Sequence, residues 1–168
     1  MYEYDSVEDV LALLKNRDLS HFRFADGKAF AEFYTEEWDA VEICADAPDH
    51  TIPAETVKRM LDVLNNLDAY IRKAYGWLKN LNTNDKWLAH KYPQWFPDEM
   101  DKIYEKELIL YGLHFGKIRW GHDPNPVADG FMISLMERDC EGWTWVYTVK
   151  FVQEDMRPVA VERWIKIF

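Results

Sequence analysis

Four segments in the second half of the chain alternate between apolar and polar residues, and this pattern constrains the fold more than any other feature. A period of two is typical of β-strands with one buried face. The connections are short, except after the first segment, and short connections favour antiparallel pairing. The four predicted strands are Leu108–Phe115, Phe131–Arg138, Trp143–Val152 and Val159–Phe168.

A long helix is predicted before these strands. Residues 53–80 carry apolar side chains three or four positions apart from Val57 to Leu78, which indicates one continuous amphipathic helix. Pro53 suits its first turn. Gly76 weakens the last turns, so we expect the helix to bend or stop there.

The N-terminal third predicts a short helix and a hairpin. Ser6, followed three residues later by Asp9, is typical of a capped helix start. Asp26-Gly27 is a two-residue turn signal, and residues 40–45 predict a third strand. The predicted hairpin pairs are Arg23 with Phe30, Phe24 with Ala29, Phe22 with Ala31, His21 with Glu32, and Ser20 with Phe33.

These patterns predict an α+β fold in a single domain, residues 1–168. We expect an antiparallel C-terminal sheet of about four strands packed on one long helix, with an N-terminal β-hairpin or three-stranded meander beside it. No apolar run is long enough for a membrane span, and the acidic N-terminus does not resemble a secretory signal. The sequence therefore predicts a cytoplasmic protein without membrane contact.

Negative charge is concentrated at the front of the chain. The net charge is -10, and residues 1–55, with 14 acids and 4 bases, carry all of the excess. A negative field of this kind attracts basic partners and repels nucleic acid. The same charge is also consistent with an acidic face that only keeps the protein soluble. The residues predicted to contact a partner are Glu36, Glu37, Trp38, Asp39 and Glu42.

Recognisable catalytic and cofactor motifs are missing from the sequence. It has no GxSxG, GxGxxG or Walker A motif, and its two cysteines, Cys44 and Cys140, form no CxxC pair. We expect no cofactor and no bound metal. The cysteines are expected to be reduced thiols, although a single disulfide between them is an open alternative.

One group of residues suits a different class of function. His114, Trp120, His122 and Asp123 are close in sequence, where a strand runs into a turn-rich loop, residues 121–130. They could line the mouth of a pocket in a small enzyme or ligand-binding domain. Their spacing matches no established metal motif.

Two stretches of sequence are familiar. One runs from Leu67-Asp68-Ala69-Tyr70 to Ala74-Tyr75, and the other joins Leu110–Phe115, Gly130–Leu135, Val149-Lys150-Phe151 and Val159–Glu162. This order resembles a group of small bacterial α+β domains of unknown function, over roughly residues 55–168. Some relatives of that kind resemble immunity proteins of contact-dependent or polymorphic toxin systems. The resemblance implies no catalytic residues.

Three hypotheses follow from the sequence. The first is a non-enzymatic protein-binding domain, such as an immunity protein that masks a basic toxin. The second is the small enzyme or ligand-binding domain with a pocket near His114 and His122. The third is a homo-oligomer subunit whose many aromatic residues, 15% of the chain, form its interface.

Overall fold

A computed structural model gives the fold. It describes residues 5–34, 40–84, 108–119, 127–137, 142–152 and 156–168. The α+β class is confirmed, with three α-helices and seven β-strands among the described residues. The elements in chain order are α1 (Val7–Lys15), β1 (Arg23–Ala25), β2 (Lys28–Phe33), β3 (Val41–Asp46), α2 (Ala54–Asn65), α3 (Leu67–Asn84), β4 (Leu108–Arg119), β5 (Val127–Glu137), β6 (Trp143–Val152) and β7 (Pro158–Ile167). A 3₁₀ turn covers Pro48–His50.

All seven strands belong to one sheet, in the spatial order β1-β2-β3-β4-β5-β6-β7. The neighbouring strands pair antiparallel, except for β3 and β4, which are parallel. A parallel pair needs a long crossover, and α2 and α3 lie within the connection between β3 and β4. The N-terminal meander and the C-terminal strands therefore form one continuous surface.

The helices cover one face of this sheet. Its buried strand residues form a single core with apolar residues of all three helices. At the centre, the Phe131 ring stacks on Phe151, with ring centroids 4.5 Å apart, and on Phe115 at 6.0 Å. Tyr70 of α3 meets Phe131 edge-on at 5.3 Å. These stacked rings join β4, β5 and β6 to α3.

The opposite face carries acidic, basic, hydroxyl and thiol side chains. We call it the polar face. Its residues include Glu32, Glu42, Cys44, His114, Ser134, Thr148, Lys150, Glu162 and Trp164, which share a side by strand alternation and register.

The prediction of about four strands on one long helix is wrong in two respects. The sheet has seven strands among the described residues because β3 pairs with β4. The helix is divided at Asn66, whose side-chain amide donates to the Asp62 carbonyl oxygen at 2.8 Å. The apolar spacing continues across this break, so periodicity alone indicated one helix. No interruption occurs at Gly76, which lies inside α3.

The local predictions near the N-terminus are largely confirmed. Ser6 and Asp9 form a reciprocal capping box on α1. The hairpin pairs Arg23 with Phe30 and Phe24 with Ala29, although β1 is too short to include the predicted pairs of Phe22, His21 and Ser20. The His21 imidazole contacts Asp5 instead of Glu32. The predicted third strand is β3.

The predicted loop over residues 121–130 is partly wrong, because β5 already begins at Val127. Residues 120–126 lie outside the described ranges. Within the described part of the chain, no helix is both long and apolar enough to cross a membrane.

Candidate functional site

Two acidic side chains lie side by side on the polar face. Glu32 of β2 is directly opposite Glu42 of β3 in the antiparallel register. Both side chains are exposed. Among the described residues, no Lys, Arg or His forms an ion pair with either of them. We call this pair the acidic strand pair.

The backbone pattern brings these two carboxylates especially close. The Ala47 N–H donates to the Gly27 carbonyl oxygen at 2.8 Å, which makes residues 27 and 47 a hydrogen-bonded pair. Hydrogen-bonded and non-hydrogen-bonded pairs alternate along an antiparallel ladder. Glu32 and Glu42 therefore form a non-hydrogen-bonded pair, in which opposite side chains are closest. Like charges placed in this way destabilise a sheet.

The structure describes only one residue of the predicted partner-binding group. Glu42 lies on the exposed surface of β3, as the acidic segment suggested. The residues Glu36, Glu37, Trp38 and Asp39 lie outside the described residues. Phe33 and Val41, the nearest strand residues on either side of them, are paired with each other. Sequence reasoning missed Glu32 as the partner of Glu42, because no signal in the sequence gives the register across residues 34–40.

At the other end of the same two strands, the acidic side chain has partners. Lys28 is opposite Asp46. One Asp46 oxygen accepts the backbone N–H of Lys117 at 2.8 Å, and the other lies 3.3 Å from His114 Nε2. A Cβ at Gly116, where φ is +137°, would collide with the Asp46 carboxylate. Asp46 therefore links β3 to an irregular part of β4, and its carboxylate is occupied by these contacts.

His114 has a structural partner on the polar face. Burial lowers the pKa of its imidazole, and the nearby Asp46 carboxylate raises it by a smaller amount. The predicted pocket group cannot be assembled around it, because Trp120, His122 and Asp123 lie outside the described residues. Its one described ion pair joins it to Asp46, in the link between two parallel strands.

Cys44 is directly opposite His114 across the parallel strands. It is a free, buried thiol, and Cys140 lies outside the described residues. Burial raises the pKa of the Cys44 thiol to about 11. A nucleophilic cysteine needs the opposite shift, because the thiolate is the reactive form. Cys44, His114 and Asp46 share a face of the sheet, but the high pKa of the thiol does not suit a catalytic triad.

A polar network lies further along the same face, on β5, β6 and β7. Ser134 and Thr148 share a hydrogen bond of 2.7 Å, and Trp164 Nε1 donates to Thr148 Oγ1 at 3.2 Å. Lys150 is only 5% exposed, and its ammonium donates to the Arg119 carbonyl oxygen and pairs with Glu162. A buried ammonium requires such partners. The interruption of an apolar strand by Lys150 is the only signal of this network in the sequence.

Metal binding finds no support in the described part of the chain. No group of three His, Cys, Asp or Glu side chains there is arranged to hold a metal ion.

No protein-family model, curated protein or solved structure matches this chain. The resemblance to immunity proteins therefore stays a prediction made from residue patterns.

Proposed function

We propose that this chain is a non-enzymatic protein-binding domain whose acidic surface, centred on Glu32 and Glu42, binds a basic protein. The observation that carries the proposal is the direct opposition of these two carboxylates on an exposed sheet face, without a described cation beside either of them.

The opposed carboxylates destabilise the free protein, and binding of a cationic side chain would relieve their repulsion. An arginine or lysine from a partner, placed between them, would convert their repulsion into two favourable interactions. A polyanion such as nucleic acid would be repelled by the same charges. The acidic strand pair therefore favours a cationic protein surface as the ligand.

The segment between β2 and β3 adds further acidic residues and a tryptophan in sequence. Glu36, Glu37 and Asp39 add three acids between Glu32 and Glu42, and Trp38 adds a large aromatic side chain. Tryptophan is enriched among the residues that dominate binding energy at protein interfaces. In the proposed complex the carboxylates accelerate encounter, and Trp38 slows dissociation.

We further propose that the basic partner is a toxin, such as a nuclease, and that this chain masks it as an immunity protein. The resemblance over roughly residues 55–168 supports this class of partner. The charge argument is consistent with it, because an enzyme that acts on nucleic acid presents a cationic surface to its substrate. An acidic protein that covers this surface would exclude the substrate.

The second candidate, a small enzyme or ligand-binding domain near His114 and His122, has less support. The described side chains with potential chemistry have structural roles. His114 is engaged by Asp46, and the pKa of Cys44 is raised by burial. Lys150 is held by Glu162 and the Arg119 carbonyl oxygen.

The experiment compares two affinity baits in lysate from the source cells. One bait is the natural chain and the other carries Glu32→Lys and Glu42→Lys, which reverses the acidic strand pair on the same fold. We expect a basic protein to be retained by the natural bait and lost from the reversed one. Expression of that protein alone should then arrest growth, and co-expression of the natural chain should restore it.

Two results would contradict the proposal. If the same proteins are retained by both baits, the acidic strand pair is not a docking surface. If a charge-dependent partner is found but is harmless when expressed alone, the binding function stands and the immunity role is wrong.

A further inference from the structure

The exposed large apolar side chains of the described residues share one corner of the sheet. Trp143 begins β6, and the other four lie at the end of β7 or directly after it: Trp164, Ile165, Ile167 and Phe168. Ile167 is 79% exposed and Phe168 is 61% exposed. Trp143, Ile165 and Ile167 share one face of the sheet, and Trp164 lies on the polar face. Scattered exposed apolar residues need no explanation, but a cluster at one edge of a sheet indicates an interaction site.

β7 is also the last strand of the described sheet, so its outer side has no strand partner there. The Phe168 N–H donates to the Gly142 carbonyl oxygen at 3.0 Å, in the same register that pairs Ile167 with Trp143. Even-numbered residues of β7 therefore direct their backbone groups towards β6, and odd-numbered residues direct theirs outwards. The outward donors and acceptors belong to Val161, Arg163, Ile165 and Ile167.

We propose that β7 pairs antiparallel with β7 of a second copy of this chain, so that two sheets join into one. This inference is independent of the proposed function, because it concerns a different edge of the sheet. Most soluble oligomers are two-fold dimers with self-complementary interfaces. A two-fold axis perpendicular to the sheet keeps each side chain on its own face, so a residue is always opposite a residue of the same parity.

Only one of these registers places opposite charges next to each other. Centring the pair on Glu162 or on Lys166 places that residue opposite its own copy, with like charges in contact. Centring it on Arg163 places Glu162 opposite Trp164, so no ion pair forms. Centring it on Trp164 places Glu162 of each copy opposite Lys166 of the other, with opposite charges in contact.

The neighbouring register, centred on Ile165, avoids like charges but overlaps less of the strand. With Trp164 at the centre, the outward groups of Val161, Arg163, Ile165 and Ile167 all find partners, which gives about eight backbone hydrogen bonds between the copies. Glu162 and Lys166 of opposite copies then face each other twice in non-hydrogen-bonded positions, where side chains are closest. Within each chain Glu162 also pairs with Lys150, and the Lys166 ammonium donates to the Tyr111 hydroxyl at 3.0 Å. Trp164 and Ile165 then lie in the middle of the interface, and Ile167 lies opposite Val161 of the other copy at each end.

The first test measures mass in solution by light scattering, with variants that change the outer edge only. Ile165→Pro removes an outward N–H and leaves the β6 ladder intact, because proline is tolerated at such edge positions. Ile165→Thr is the matched control, since it shortens the side chain and keeps the N–H. We expect a dimer for the natural chain and the threonine variant, and a monomer for the proline variant.

The second test uses like-charge repulsion and does not depend on proline. Lys166→Glu should weaken self-association roughly tenfold or more, because it places a carboxylate opposite Glu162 of the other copy at both positions. Glu162 is left unchanged, because it pairs with the buried Lys150 ammonium in its own chain. Lys58→Glu makes the same charge reversal on an exposed position of α2 and should leave the dimer intact. Equal self-association of Lys166→Glu and Lys58→Glu would contradict this register.

A cysteine at the symmetry centre tests the register. In a Cys140→Ser background, Trp164→Cys should cross-link with its own copy under oxidised glutathione, because paired Cα atoms lie within disulfide range. Ile165→Cys should cross-link far less.

A monomeric natural chain at about 100 μM overturns the dimer, since the exposed corner should associate well below that concentration. A dimer unaffected by Ile165→Pro overturns the use of β7. Preferential cross-linking of Ile165→Cys overturns the register.

Discussion

Reversing one charge of the acidic strand pair should stabilise the protein. Glu42→Lys places an ammonium opposite the Glu32 carboxylate, in the closest type of cross-strand position. Most surface substitutions change stability little or reduce it. A gain in stability from a single surface charge is therefore a specific expectation of this register.

The size of the effect follows from the pairing distance. Two carboxylates about 5.5 Å apart repel by about 0.7 kcal/mol in water, and screening at physiological salt reduces this to about 0.4 kcal/mol. Replacing repulsion by an attraction of the same size gives about 0.8 kcal/mol, within the range for cross-strand charge pairs. For a chain of this length, that gain raises the Tm by about 2–3 °C.

The assay is urea unfolding of the natural chain, Glu42→Lys, Glu32→Lys and the double variant, at about 0.02 M and about 1 M salt. Each single variant should gain stability at low salt and lose most of the gain at high salt. The double variant restores like-charge repulsion, so its stability should return close to that of the natural chain. If the double variant is instead the most stable, the gain comes from reducing the overall negative charge, and the reasoning from the strand pair is refuted.

Three further predictions concern the junction of β3 and β4. Gly116→Ala should cost about 2 kcal/mol or more in urea unfolding, because φ is +137° and a Cβ would collide with Asp46; a cost below about 0.5 kcal/mol would contradict this geometry. Burial keeps the pKa of His114 below its ordinary value, so folding favours the neutral imidazole. Stability should therefore be retained above about pH 6.5 and decrease as the pH falls through the lowered pKa, and His114→Gln should reduce that decrease; equal pH dependence in both proteins would show that His114 is not responsible. In a Cys140→Ser background, Cys44, with its pKa raised to about 11, should resist Ellman's reagent until urea unfolds the chain; rapid native labelling would mean that the thiol is accessible.

Local sequence signals predicted the parts of the fold that depend on local chemistry. The Ser6–Asp9 capping box and the Asp26-Gly27 turn each involve residues close together in the chain, and both are found in the structure. The alternating C-terminal segments became antiparallel strands in the expected order. In each case the interactions that form the structure are between residues close together in the chain, or follow from the alternation along one strand.

Features that depend on distant residues were not predictable in this way. The parallel pairing of β3 with β4 joins residues about 70 positions apart and has no local signal. Gly130 suggested a turn but lies in β5, where a Cβ would collide with the Phe151 carbonyl oxygen of the neighbouring strand. A glycine required by a close approach of two strands looks the same in sequence as a glycine required by a turn.

The negative charge of the candidate site could be predicted from the sequence, but the arrangement of its residues could not. The acidic excess of residues 1–55 drew attention to Glu42, which lies exposed on β3. Its opposition to Glu32 needs the β2–β3 register, which the sequence does not specify. The exposed corner at the end of β7 was also missed as a location, because the alternation of β7 predicted one buried face for Ile165 and Ile167.

The most direct test of the central claim is the association rate between this chain and the basic protein that its acidic surface captures, measured at several salt concentrations. The natural chain should associate rapidly at low salt and roughly tenfold or more slowly as salt rises to about 0.5 M, because screening removes the long-range attraction. A chain with Glu32→Lys and Glu42→Lys should associate slowly at every salt concentration. A control chain with Asp68→Lys, an exposed residue of α3 on the opposite side of the sheet, should behave as the natural one. Equal rates and equal salt dependence for the natural chain and its Glu32→Lys, Glu42→Lys variant would show that the acidic strand pair is not the docking surface.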